Sequence, residues 1–238
     1  MIYWIIAALA AFFVKGLCGF ANTLVFTSIL SFGVSNSSIS PVELLLGYPT
    51  NFILAWKERK SIRWEICLPL ALLVVVGTIP GVLFLKSANV SSIKVLFGAI
   101  IVLIGAEMLW SDANGSRFKQ SKFLLILIGI LSGILCGLYG VGALLGAYLG
   151  KVTNDSHSFK ANICTVFVIE NTLRIVLYTV WGLLTFDVLR QAVVLLPFML
   201  IGLGSGMLSG KFLDEKIVRK LVIVMLIVSG AALVLTNL

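Results

Sequence analysis

The residues able to do chemistry in this sequence are polar groups set inside apolar runs. Lys15 directly precedes Gly16-Leu17-Cys18-Gly19-Phe20, and Asn22 and Thr23 follow. A second glycine cluster holds Gly133 and then Cys136-Gly137-Leu138-Tyr139-Gly140-Val141-Gly142. Asn51 follows Pro49-Thr50, and Asn171 follows Glu170, each within an apolar stretch where a buried amide needs a partner. Thr50 and Thr172 are weaker versions of the same idea. Glu170 and Arg174 stand four apart, so on a helix they share one face and neutralise each other. A helix broken inside a hydrophobic segment exposes backbone N–H donors at a half-helix N-terminus, where the dipole also favours an anion. The chemistry these residues suggest is therefore the binding of a small anion.

Other chemistries lack their residues. There is no HExxH string, no aspartate-rich metal motif and no Walker motif. Gly202-Leu203-Gly204-Ser205-Gly206 fails as a nucleophile elbow, because glycine stands where the serine should. Cys18, Cys67, Cys136 and Cys164 have no close CxxC spacing and read as small packing residues, not a disulfide framework or zinc site. His157 lies in the polar Thr153–Ser158 loop and reads as solvated; Glu43 and Glu107 lie near span ends and read as interfacial. We expect no enzyme, no metal and no cofactor.

The elements that must position these groups are membrane helices. Of 238 residues, 60% are hydrophobic and 12% charged, where a soluble domain carries about 25% charged residues. Residues 16–42, 66–85, 123–150, 191–210 and 221–238 are free of charge, and a spanning helix needs about 20 mostly apolar residues. The N-terminal stretch lacks the basic region of a signal peptide and is expected to belong to the bundle. The longest polar stretch is Ser111 to Lys122, too short for an extramembrane domain. The net charge of +8 is spread over short loops, where it sets orientation and meets anionic lipid; no basic face with interleaved aromatics suggests nucleic acid.

Two apolar segments are too long for one straight pass. Residues 2–33 and 123–150 would extend roughly 48 and 42 Å as helices, against a hydrocarbon core of about 30 Å. Each contains one of the glycine clusters, so each is either a tilted helix or a hairpin of two shorter helices. Loop charge separates the two. With single passes, Lys57, Arg59, Lys60, Arg63, Arg117, Lys119, Lys122 and Arg190 face Lys86, Lys94, Lys151, Lys160, Lys211, Lys216, Arg219 and Lys220, eight against eight. With hairpins, only Lys86, Lys94 and Arg190 remain opposite the other thirteen. The positive-inside rule selects hairpins and puts both termini outside.

The two halves recur in order. Gly77-Thr78-Ile79-Pro80-Gly81 falls where Gly202 to Gly206 falls in the second half. Asn51 corresponds to Asn171, and Ile62-Arg63-Trp64 to Phe186-Asp187-Val188. The hairpins align either through Leu17-Cys18-Gly19 with Leu135-Cys136-Gly137, or through Gly16 and Gly19 with Gly137 and Gly140. The expected fold is all-α. It comprises two inverted repeats, each a glycine-broken hairpin plus three transmembrane helices, a scaffold of alternating-access transporters. The first repeat is 1–110 (hairpin 2–33, helices 40–56, 66–86 and 91–110). A cytoplasmic linker covers 111–121. The second repeat is 122–238 (hairpin 122–150, helices 160–182, 188–210 and 218–237).

The motifs Gly16-Leu17-Cys18-Gly19-Phe20, Gly137-Leu138-Tyr139-Gly140-Val141-Gly142 and Gly77-Thr78-Ile79-Pro80-Gly81 followed by Leu85-Lys86 and Ile93-Lys94 carry a resemblance. So does the second-half copy, Gly202 to Gly206 with Lys211 and Arg219. In order and spacing they resemble the sulfite exporter TauE/SafE family over nearly the whole chain. The resemblance implies a multi-pass carrier in the bacterial cytoplasmic membrane for sulfite, an organosulfonate or a related organic anion, often exporting it. Asn22 and Thr23 depart from the more glycine-rich first hairpin of that family. The expected site, near the midplane where the breaks meet, takes Lys15, Gly16, Cys18, Gly19, Phe20, Asn22, Thr23 and Asn51 from the first half. Gly137, Tyr139, Gly140, Gly142, Asn171 and Arg174 come from the second. Glu170 is the expected proton carrier. Expected partners are the anion and membrane lipid, and a homodimer is compatible with the sequence. An anion channel and a carrier for a non-sulfur anion are the competing functions.

Overall fold

The computed structural model describes residues 1–30, 36–86, 122–140, 142–153 and 155–214, with scattered positions between 95 and 110 and between 217 and 235. The expected helices 91–110 and 218–237, the linker 111–121 and Glu107 lie outside the described residues or largely so. Among the described residues the chain is helical, without strands. The helices are α1 (Ile2–Cys18), α2 (Asn22–Leu30), α3 (Asn36–Lys57), α4 (Trp64–Lys86), α5 (Lys122–Tyr139), α6 (Ala143–Val152), α7 (Ser156–Val180) and α8 (Phe186–Phe212). A 3₁₀ turn, Arg59–Ser61, joins α3 to α4.

The interior is largely apolar but also holds charged residues, and the surface is apolar as well. Lys15, Glu43, Glu170 and Arg174 are buried, while Leu68, Leu72, Val76 and Leu83 on α4 and Val193, Leu200, Ile201 and Leu208 on α8 are exposed. Apolar residues facing outward around a charged interior suit hydrocarbon as the surrounding solvent. Three helices are long and apolar enough to cross a membrane: Trp64–Leu83, Ser156–Val180 and Phe186–Phe212.

Both overlong segments break at their glycine clusters. α1 ends at Gly19, in the left-handed region at φ 86°, with its N–H donating to the Lys15 carbonyl at 2.7 Å. α5 ends the same way at Gly140, at φ 69°, its N–H donating to the Cys136 carbonyl at 2.7 Å. Glycine alone enters this region without a Cβ penalty. After Gly19 the chain turns back, because the Trp4 and Phe26 rings meet edge-on at 5.8 Å. A straight helix would separate those residues by about 33 Å. Asp155 caps α7, its carboxylate accepting from the Ser158 N–H at 2.8 Å.

The helices pair in an exchanged pattern: α1 packs on α8, and α4 on α5. α3 lies against α7, α4 also touches α7, and α3 also touches α8. α3 and α7 run antiparallel, since Ser40 meets Tyr178, Tyr48 meets Thr172, and Glu58 beyond α3 meets His157 at the start of α7. Small residues make the close pairs. A Cβ on Gly133 would collide with the Val74 carbonyl oxygen and Gly77, and one on Gly77 with the Ile130 carbonyl oxygen. A Cβ on Gly16 would sit 2.5 Å from the Leu203 carbonyl oxygen, and one on Gly206 would strike that of Phe13. In lipid, where apolar helices gain nothing by leaving solvent, such backbone approach supplies much of the association.

These contacts separate glycines of similar appearance in the sequence. Gly133→Leu and Gly206→Leu force backbones apart and are expected to destabilise the bundle by about 2–3 kcal/mol or more. Gly204 has nothing within 4 Å of a built Cβ, so Gly204→Leu is expected to unfold close to the wild-type temperature. Thermal unfolding in detergent, followed by tryptophan fluorescence, checks the contrast.

Candidate functional site

The polar interior is one connected cluster. The Lys15 ammonium, near the end of α1, donates to Asn22 Oδ1 at 3.1 Å. Asn22 Nδ2 donates to Glu43 Oε1 at 2.5 Å, and Thr23 Oγ1 donates to the same oxygen at 2.8 Å. The second oxygen of Glu43 faces Arg174 Nη2 at 3.5 Å. Arg174 Nη1 donates to the Cys136 carbonyl at 2.7 Å, and its Nε lies 3.9 Å from Glu170 Oε1. The guanidinium stands 5.7 Å from the Tyr178 ring centre, and the Tyr178 hydroxyl meets Ser40 Oγ at 3.0 Å.

Local structure explains each position. The αL turn at Gly19 ends α1 one turn beyond Lys15 and lets Asn22 open α2 facing back toward it. Glycines make room for the charges: a Cβ on Gly140 would lie 2.7 Å from Arg174 Nη1 and 3.0 Å from Glu43 Oε2. A Cβ on Gly47 would lie 3.0 Å from Glu43 Oε1. Ala21 takes φ 71° between the break and α2, an arrangement that costs an L-residue roughly 1–2 kcal/mol.

All four ionisable side chains, Lys15, Glu43, Glu170 and Arg174, are at most 2% exposed. With every one charged, Lys15 and Arg174 balance Glu43 and Glu170. Such a balance is what permits ions at this depth, because an uncompensated buried charge costs several kcal/mol. Glu170 differs from Glu43. Its carboxylate has Arg174 Nε at 3.9 Å and the Thr78 hydroxyl beside it, in place of the close Asn22 and Thr23 donors that Glu43 has.

The expected site residues divide. Lys15, Asn22, Thr23, Glu170 and Arg174 come together, with Gly140 against them. Gly16 and Gly137 lie in helix contacts, Gly16 on α8 and Gly137 on α4. Cys18 is buried, and Phe20 packs edge-on against Phe159 at 5.7 Å. Gly19 lies against Lys160, and Gly142 yields its Cβ space to the Phe167 ring. Tyr139 closes α5; its side chain lies outside the described residues. Asn51 and Asn171 are buried, Asn51 with an Oδ1 that no described group pairs, and Thr50 donates to the Gly47 carbonyl at 2.7 Å. The breaks reach α7 at two levels, Gly19 at Lys160 and Gly140 at Arg174. Those residues are fourteen apart, roughly 21 Å along the helix, rather than at one midplane depth.

Glu43 corrects the sequence reading. It is not interfacial but central. α3 starts at Asn36, four residues before the expected span, so Glu43 stands two turns inside it. The available signal was Gly47 one turn later, on the same face. His157 is exposed as expected, and its Nδ1 meets Glu58 Oε2 at 2.8 Å.

A membrane bundle that is helical throughout its described residues, with ionisable groups at its centre, is of the kind that handles small charged solutes within the bilayer. The family model described as Sulfite exporter TauE/SafE matches residues 4–233. The chain belongs to this family and is an integral membrane transporter. No curated protein and no solved structure matches it.

The cluster stands or falls as a unit. Arg174→Gln leaves Glu43 and Glu170 without their shared cation and is expected to cost about 3–5 kcal/mol. Adding Glu170→Gln to that variant restores part of the loss, a coupling of about 1–3 kcal/mol. Unfolding of the two single variants and the double variant in detergent measures it.

Proposed function

We propose that the protein is a secondary carrier that moves sulfite or an organosulfonate across the bacterial cytoplasmic membrane by alternating access. The observation that carries this reading is the buried cluster of Lys15, Asn22, Thr23 and Arg174, four oxyanion-binding donor groups brought together from α1, α2 and α7. Guanidinium, ammonium, amide and hydroxyl groups suit a sulfonate or sulfite head, which offers three oxygens and negative charge. A proton taken up by a buried carboxylate of the cluster accompanies the anion.

The working scaffold is a pair of inverted halves, 1–110 and 122–238, joined by a cytoplasmic linker at 111–121. Three observations support it. α1 pairs with α8 as α5 pairs with α4, which is one contact seen from each half. Gly19 and Gly140 close α1 and α5 with the same conformation and the same hydrogen bond, which favours the register pairing Gly16 and Gly19 with Gly137 and Gly140. α3 and α7, equivalent in the two halves, run antiparallel. The Glu58–His157 contact adds to this, because single passes through the long segments would put these residues on opposite faces.

Purified protein in liposomes is expected to give saturable flux of sulfite or a small sulfonate, and Arg174→Lys to lower it at least about tenfold, roughly 1.4 kcal/mol, by losing the planar fork. Absence of flux for every sulfur oxyanion and sulfonate tried would remove the substrate class. Single-channel currents far above carrier turnover would replace the carrier by a channel.

Topology has its own test. The four native cysteines are buried, giving a quiet background for labelling. Ser37→Cys and Ser156→Cys are expected to react with an impermeant maleimide from opposite faces of the membrane. Labelling from the same face would contradict the inverted hairpins.

A further inference from the structure

Glu43 occupies the place an anion would want. Its Oε1 receives Asn22 Nδ2 and Thr23 Oγ1, and its Oε2 faces Arg174 Nη2. Lys15 is one residue removed, through Asn22. A carboxylate has the charge and the oxygen donor preference of a sulfonate head, so the residue satisfies in the resting protein the groups that would bind the cargo. The groups facing Glu43 come from every neighbouring element: Lys15 of α1, Asn22 and Thr23 of α2, Cys136 of α5, and Glu170, Arg174 and Tyr178 of α7. On its own helix, Gly47 leaves the space beside it open.

We propose that Glu43 is a tethered stand-in for the transported anion, and that the anion takes over its donors only as Glu43 takes up a proton. This rests on the carrier reading and assigns the coupling proton within it. Charge requires the exchange. With all four side chains charged the cluster is neutral, and one added monoanion then leaves an uncompensated buried charge unless one proton enters with it. The proton forms an O–H bond on the Glu43 carboxylate; no other bond is made or broken. Geometry selects Glu43 over Glu170. An incoming anion competes for Asn22, Thr23 and Arg174 Nη2, the donors of Glu43. Glu170 touches none of those donors but Arg174, whose Nε lies 3.9 Å away, and it stays there with the Thr78 hydroxyl beside it. Glu170, the carrier expected from the sequence, thus becomes the fixed partner, and Glu43 the exchanging one.

The test is calorimetric binding of methanesulfonate to the purified protein in detergent, repeated in buffers of different ionisation enthalpy. This anion keeps a single negative charge through the working pH range, so proton uptake belongs to the protein. Wild type is expected to take up about one proton per anion bound, with affinity falling about tenfold per pH unit wherever that full proton is taken up. Glu43→Gln, which imitates the protonated acid, is expected to bind with no proton uptake and no pH dependence. Glu170→Gln is expected to retain the uptake. Binding to wild type without uptake, uptake unchanged in Glu43→Gln, or uptake lost in Glu170→Gln would each overturn the assignment while leaving the carrier reading intact. Failure of wild type to bind methanesulfonate, sulfate or sulfite would overturn both. If Glu43→Gln does not yield a monodisperse protein, the wild-type and Glu170→Gln proton counts decide.

Discussion

Everything in the centre of this bundle follows from the cost of a charge in an apolar medium. Arg174 cannot lose its proton and cannot reach water from its depth, so the fold has to supply anions and carbonyls around it. Glu43, Glu170 and the Cys136 carbonyl do so from three helices. Each of these then makes its own demand. Glu43 needs more donors than one guanidinium corner provides, and Asn22 and Thr23 supply them. Asn22 in turn accepts from Lys15, which brings a second cation into the interior. The two glycines that touch these charges, Gly47 and Gly140, are positions where a methyl group would press on a charged atom. The break that ends α5 therefore serves two purposes, turning the chain and making space for the guanidinium.

Helix adjacency is governed separately, by backbone approach. Gly77, Gly81, Gly133 and Gly137 bring α4 and α5 together, and Gly16, Gly202 and Gly206 bring α1 to α8. These two glycine-lined pairs flank the central α3 and α7, which carry Glu43, Glu170 and Arg174. Most of the glycines that look functional in the sequence thus build the frame, and the polar residues near the breaks build the site. Glycine is ambiguous in a membrane sequence for a physical reason. The same missing Cβ permits a left-handed turn, as at Gly19, and a close helix crossing, as at Gly16 three residues earlier.

The helical class and the two breaks could be read from hydropathy, segment length and glycine placement. The overlong segments broke at their glycine clusters because left-handed φ there is cheap for Gly19 and Gly140 and the apolar run was too long to stay straight. Lys15, Asn22, Thr23, Glu170 and Arg174 could be picked out because polar groups in apolar runs must find partners. Two things could not be read. The hydropathy of Asn36-Ser37-Ser38-Ile39 hides the start of α3, so Glu43 seemed to lie at a membrane edge when it is in fact enclosed. The depth of each break also escaped, because the level at which a hairpin tip meets α7 depends on tertiary packing, such as Gly19 on Lys160.

On the proposed repeat the cluster is asymmetric. Under the register pairing Gly16 with Gly137 and Asn51 with Asn171, Lys15 falls opposite Cys136, Glu43 opposite Ile163, Glu170 opposite Thr50 and Arg174 opposite Leu54. No charged member has a charged counterpart. Residues 15–43 supply one cation and one carboxylate, and residues 170–174 supply the others. The contacts within the first group, Lys15–Asn22, Asn22–Glu43 and Thr23–Glu43, run from 2.5 to 3.1 Å. The contact that joins the two groups, Arg174 to Glu43, is longer at 3.5 Å. Electrostatic attraction falls as charges separate, and a hydrogen bond weakens steeply at such length. Among the contacts of Glu43, the one across the seam is therefore the weakest hydrogen bond, and separating Glu43 from Arg174 costs less than separating it from Asn22 and Thr23.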